Sequence, residues 1–164
     1  NKIGTAMFGF FKNSGTPNVR RIGASAAVAC AKIHAPAFAH PWSASEFESL
    51  LCDQSCIADG AYLGARAKLA GFCLSRRAAD EALSIAVASD ARRGGMGKAL
   101  LATHLARLAG FGTKVLFLEV ESGNLPAIGL YQHFGFVEVG QRPAYTRMKD
   151  GSLANALIMR RDLT

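Results

Sequence analysis

Residues 83–101 read LSIAVASDARRGGMGKALL: an apolar run, a polar turn, then three glycines in four residues flanked by Arg92, Arg93 and Lys98. Glycine costs a helix about 1 kcal/mol relative to alanine, and neighbouring arginines repel one another, so the pattern needs a cause. LSIAV reads as a strand. Residues 95–109 read as a helix, with Leu101, Leu105 and Leu108 spaced i, i+4, i+7. A helix N-terminus presents unpaired N–H groups and the positive end of the helix dipole, and glycine lets an anion approach that backbone closely. Arg92, Arg93, Gly94, Gly95, Met96, Gly97 and Lys98 thus read as a phosphate cradle.

Two common phosphate loops fail by position. A P-loop needs Gly five residues before Gly97 and Ser or Thr after Lys98, where this chain has Arg92 and Ala99. A dinucleotide G-x-G-x-x-G starting at Gly95 needs Gly or Ala where Leu100 stands. What remains is R-x-x-G-x-G, formed by Arg92, Gly95 and Gly97 between a strand and a helix.

Upstream, residues 56–90 read as three strands separated by polar turns, an antiparallel meander. Residues 25–38 read as an Ala-rich helix ending before Pro41. Its arginine pair and apolar stretch mimic a signal peptide but carry Lys32 and begin at Arg20, so a targeting role is not expected. Ser43 and Glu46 have capping-box spacing, with Trp42 and Phe47 in the staple positions. Residues 1–18 read as a leader ahead of a domain over 19–164. The first six could be a cloning remnant, with Met7 a candidate native start.

Downstream, KVLFLEV is apolar on both faces, as a central strand reached by a helical crossover would be. NLPAIGLYQHF reads as a short helix with Asn124 as cap, Pro126 in the first turn and Gly135 past the end. Gly129, inside that helix, would allow close packing against a neighbour. Residues 135–142 and 153–161 supply the last strands. The expected class is a single α/β domain with a mixed, mostly antiparallel twisted sheet and helices on both faces.

The chain has 164 residues, enough to bury roughly 70% of its unfolded surface in one domain. Nineteen Lys and Arg against 12 Asp and Glu give a net charge of +7, which suits a polyanionic partner: nucleic acid, a nucleotide-like cofactor or something on the ribosome. Cys30, Cys52, Cys56 and Cys73 lack metal-ligand spacing and read as buried reduced thiols of a cytosolic protein. No apolar run reaches the ~20 residues of a membrane span.

The glycine turn resembles the acyl-CoA pyrophosphate loop of the GNAT superfamily of N-acetyltransferases. Asn124, Ala127, Leu130 and Tyr131 match that family's N-x-x-A-x-x-L-Y helix, and YQHFGF continues as its ending does. Aminolysis of a thioester removes a proton from the amine and supplies one to the departing thiolate. Glu119 shares a strand face with Val115 and Phe117, so partial burial is expected to make it a better base. Tyr131 carries a phenol of ordinary pKa ~10, suited to protonating a thiolate.

Over residues 19–163 the chain is most similar to the ribosomal-protein-alanine N-acetyltransferase (RimI-type) branch, through HPWS, LEV, NLPAIGLYQHFGF and AYTRMKDGSLANALIM. The resemblance implies acetyl-CoA as cosubstrate and no metal. Glu119 would be the general base, through water, and Tyr131 the general acid. Backbone groups of Ile85, Ala86 and Val87 would hold the thioester and pantetheine, and the cradle, Asn124 and Tyr131 would complete the cofactor site. Trp42, Glu119 and Tyr145 would line the peptide groove. The acceptor would be a protein N-terminus, with neither direct nucleic-acid recognition nor membrane attachment, in the cytoplasm.

Three positions depart from the branch, all on the acceptor side: His40 replaces an aromatic, Ala144 the first of two tyrosines, and Asn155 an acidic residue. His40 reads as a loop residue, and His104 and His133 as helix-surface residues. Acetylation of lysine or a small amine on the same fold, or a CoA-binding regulatory module without turnover, stay open at this level.

Overall fold

Alternating apolar residues between Cys56 and Val87 form three antiparallel strands that make up one half of the sheet. A computed structural model of the chain describes residues 17–37, 40–64, 67–78, 81–87, 94–148 and 150–163, with backbone alone over 81–87 and 144–146. The leader and the turn carrying Arg92 and Arg93 lie outside the described residues.

The elements run β1 (Asn18–Arg21), α1 (Ala27–His34), α2 (Ala44–Cys52), β2 (Cys56–Leu63), β3 (Lys68–Arg76), β4 (Glu81–Val87), α3 (Met96–Gly110), β5 (Val115–Glu121), α4 (Leu125–His133), β6 (Val137–Arg147) and β7 (Leu153–Asp162). The strands form one seven-stranded sheet in the order β1-β2-β3-β4-β5-β7-β6. β4 and β5 pair in parallel, which requires the crossover helix α3, and the other neighbours are antiparallel.

Period-two alternation splits the core. Ile57, Ala61, Cys73, Leu116, Leu118 and Val120 face α3 and α4, where Met96, Leu100, Leu101, Leu105, Leu108 and Tyr131 cover them. Cys56, Ala58, Phe72 and Leu74 face the opposite way, under α1 and α2. Phe47 and Phe72, both wholly buried, meet edge to face at 5.3 Å and join α2 to β3.

α2 begins as its spacing predicts: the Glu46 N–H donates to Ser43 Oγ at 3.1 Å and the Ser43 N–H donates to Glu46 Oε2 at 2.6 Å. Such caps stabilise by about 1 kcal/mol. The first helix departs from expectation. It is α-helical over Ala27–His34 alone, between 3-10 turns at Ala24–Ala26 and Ala35–Ala37. Pro36 has no N–H to give back to the preceding turn, so the α-helix ends well before Pro41. Cys30, Cys56 and Cys73 are buried free thiols as expected, but Cys52, the last residue of α2, is exposed. Among the described residues no helix is long and apolar enough to cross a membrane.

Candidate active site

At the head of α3, glycine is required for two different reasons. Gly95, the N-cap, has φ +75°, a left-handed conformation that strains other residues. At Gly97 a Cβ would come within 3.1 Å of Leu130 Cδ2, so the missing side chain lets α3 lie against α4. Buried Met96 anchors the turn, while Gly94, Gly95 and Lys98 are exposed. Among the described residues no side chain caps this helix, which leaves the first-turn amides of Met96, Gly97 and Lys98 for a ligand. Gly129 does not have the role expected of it: nothing lies within 4 Å of a Cβ built there, and the close approach occurs at Gly97 instead.

In front of this turn the sheet parts. β4 and β5 pair at Glu81–Leu116, Ala82–Phe117 and Leu83–Leu118, and go no further. The later residues of β4, including Ile85, Ala86 and Val87, pair with β3 at most on their other side, leaving backbone groups toward the gap. A strand edge of this kind accepts an extended, amide-bearing chain.

Glu119 follows Leu118, the last residue of β5 that pairs with β4. Leu116, Leu118 and Val120 point into the α3/α4 core, so Val115, Phe117 and Glu119 share the other face, as their spacing predicts. The Glu119 side chain keeps 29% of its exposure, and its Oε1 lies 2.8 Å from Arg142 Nη2 of β6. Arg142 was not singled out from the sequence. Strand alternation does not predict it, because β6 slips register between Glu138 and Gly140 and again between Arg142 and Thr146. Tyr145 falls within that second irregularity, further along β6 from Arg142; its side chain is outside the described residues.

Tyr131 approaches from the other face. It is buried near the end of α4, edge to face with Phe136 at 5.8 Å. Burial first, and then the neighbouring Cys73, push its phenol well above the ordinary value, so it stays protonated at neutral pH. The Cys73 thiol is also raised well above 9 by burial, which removes it as an acyl carrier. Asn124 caps α4, its Oδ1 accepting from the Ala127 N–H at 3.3 Å. That leaves its side-chain NH₂ for any ligand.

Trp42 sits between α1 and α2. Its backbone N–H donates to His34 Nδ1 at 3.1 Å, and its ring stacks on His34 at 5.1 Å and meets Phe47 at 5.5 Å. It is therefore a hinge anchor as well as a candidate groove residue. Burial, opposed by the charge of Glu46, lowers the pKa of His34 and keeps the ring neutral so that Nδ1 can accept. His40 and His133 are exposed, as expected.

His104 overturns the surface reading. It is wholly buried, with Nδ1 2.8 Å from Asp59 Oδ2 and Nε2 2.8 Å from Ser75 Oγ. Arg107 Nε donates to Asp59 Oδ1 at 2.8 Å. Its spacing carried the signal, since position 104 lies on the stripe of Leu101, Leu105 and Leu108. Asp59 carried one too, standing on the core-facing side of β2 between Ile57 and Ala61. The network ties β2 and β3 to the helix whose other end forms the cradle.

The parted strands, the Glu119 carboxylate and the buried Tyr131 phenol are groups that acyl transfer could use. Residues 27–136 match the Acetyltransferase (GNAT) family, and the chain belongs to that family and is an acyltransferase. It is 36% identical over 125 residues to the ribosomal protein bS18-alanine N-acetyltransferase of Escherichia coli (strain K12), covering 75% of this chain and 82% of that protein. The crystal structure of the ribosomal-protein-S18-alanine N-acetyltransferase from Escherichia coli superposes with a TM-score of 0.81 at 29% identity, over 91% of this chain and 95% of that one. Arabidopsis thaliana NAA60 in complex with acetyl-CoA shares the fold, with a TM-score of 0.78 at 17% identity over 90% and 98% of the two chains.

Proposed function

We propose that this acetyltransferase uses acetyl-CoA to acetylate the α-amine of a protein N-terminus, the N-terminal alanine of a ribosomal protein being the favoured acceptor, in the cytoplasm and without a metal. The parting of β4 and β5 after Leu83 and Leu118 is the observation that carries this reading. Beyond that point an extended thioester arm can lie along the β4 backbone that β5 leaves unpaired. The amides of Met96, Gly97 and Lys98, with Arg92, Arg93 and Gly94 before them, take the diphosphate. Ile85, Ala86 and Val87 take the arm through their backbone, and the Asn124 NH₂ adds a donor.

Glu119, through water, accepts the amine proton as the nitrogen attacks the acetyl carbon. The C–S bond breaks, its electron pair passes to sulfur, and Tyr131 protonates the thiolate. The groove for the acceptor runs from Trp42 to the backbone beside Tyr145. An α-amine of pKa ~8 is about a tenth neutral at pH 7, whereas a lysine amine at ~10.4 is almost wholly charged, so a modest base suits N-termini. The identity with the bS18-alanine enzyme supports the same choice.

The test is mass spectrometry on peptides with free α-amines, blocked α-amines and blocked termini bearing lysine. Acetylation confined to free α-amines is expected, and Tyr131→Phe should lower turnover by about 10²–10⁴-fold with acetyl-CoA affinity retained. Activity on blocked lysine peptides alone would overturn the reading.

A further inference from the structure

We propose that Arg142 decides which amines this site accepts: by cancelling the charge of Glu119 it admits neutral α-amines and turns away the cationic ε-amines of lysine. The inference rests on the proposed acceptor site and deepens it. A carboxylate at the mouth of a cleft, left alone, attracts any ammonium ion, and a bound ammonium has no lone pair with which to attack. Here Glu119 Oε1 already holds the Arg142 guanidinium at 2.8 Å. An incoming cation therefore meets a pair with no net charge, and meets its positive partner at close range. A neutral amine pays no such penalty.

The surroundings favour this role. Glu119 stands opposite Ile158, which in turn stands opposite Gly140, so no β6 side chain covers the carboxylate from the position directly across. Arg142 reaches it diagonally from beside the β6 irregularity, where the acceptor groove is expected. On the same face Arg160 pairs with Asp162 at 3.0 Å and lies over the Phe117 ring. A guanidinium does not lose its proton at any working pH, so the filter operates throughout the pH range of the reaction. Arg142 touches Glu119 rather than the reacting atoms, which makes it a selectivity residue acting through the base.

The experiment compares wild type, Arg142→Gln and Arg142→Lys, at a side chain exposed enough (52%) to tolerate exchange. The probe is an α-blocked peptide carrying trimethyllysine, a permanent cation that cannot be acetylated, and its affinity is read by titration calorimetry without turnover. Arg142→Gln should bind it about tenfold more tightly than wild type, and α-blocked lysine peptides should inhibit its α-amine acetylation at about tenfold lower concentration. Arg142→Lys should keep the wild-type pattern. A residue that merely braced the fold would not yield tighter cation binding when removed. Unchanged cation affinity and unchanged inhibition by lysine peptides in Arg142→Gln would overturn the inference while leaving α-amine acetylation intact. Absence of α-amine turnover by wild type would instead strike the proposed function, with the cation titration still readable.

Discussion

Two carboxylate-centred contacts of the same length, 2.8 Å, sit on opposite faces of the sheet. Asp59 with His104 is sealed, both side chains at 0% exposure, while Glu119 and Arg142 keep 29% and 52%. Sealing charges removes their hydration, and that loss is offset only if every remaining donor and acceptor is satisfied. Asp59 meets the condition by giving one oxygen to His104 and the other to Arg107, with Ser75 on the far side of the ring. The open pair lost little water on forming and contributes about 0–1 kcal/mol to stability. Its consequence lies in the charge it presents to a ligand. On the proposed reading, equal geometry serves rigidity in one place and recognition in the other, and burial decides which.

The largest effect should follow from breaking the sealed pair. Asp59→Ala leaves His104 buried without its acceptor and frees Arg107, which is itself 29% exposed and can turn to water. Losing one partner of a buried pair costs about 3–5 kcal/mol. Denaturant titration should show a midpoint shift of that order, and a loss below about 1 kcal/mol would remove the sealed pair from the account of stability.

Glu119→Gln should show the reverse profile. It keeps the side chain's size and leaves Arg142 a neutral acceptor, so stability should move by no more than about 0.5 kcal/mol. On the proposed mechanism turnover should fall by about 10²-fold, because an amide cannot accept the amine proton. Steady-state kinetics on an N-terminal peptide, beside the same denaturant titration, gives both numbers. A variant that lost stability but kept its turnover would erase the contrast between the two pairs.

What the sequence shows of this arrangement depends on how local the physics is. The Ser43–Glu46 box, the Asn124 cap and the glycine turn are set by residues within a few positions, and each was legible. The strand faces follow from period two, which placed Glu119 with Val115 and Phe117. His104 was misread because its polarity outweighed its position on a leucine stripe, and its partner Asp59 lies 45 residues away. Pairings at that distance leave no periodic trace. Arg142 was missed for another reason: two register slips in β6 break the alternation that would have assigned its face. The end of α1 was misplaced because Pro41 was weighed and Pro36 was not.

The smallest effect, and the finest test of the contrast, comes from acid. Burial pushes the Asp59 carboxyl up, but the His104 hydrogen bond, the His104 charge and Arg107 outweigh it and hold the group below its ordinary 3.8. A folded pKa below the unfolded one means that its stabilisation is present above the unfolded value, near 3.9, and is lost as pH falls through the folded value. Between those two values the unfolded chain binds a proton that the native chain refuses, so native stability declines toward low pH with a slope of up to about 1.4 kcal/mol per pH unit from this group. Asp59→Asn has no such proton to bind, and its stability curve should run flatter than the wild-type curve below about pH 4. Glu119→Gln, measured alongside, tests whether the open pair shares this acid dependence. Parallel curves for wild type and Asp59→Asn below pH 4 would mean that the sealed carboxylate is not held ionised by its partners, and that burial alone does not separate the two pairs.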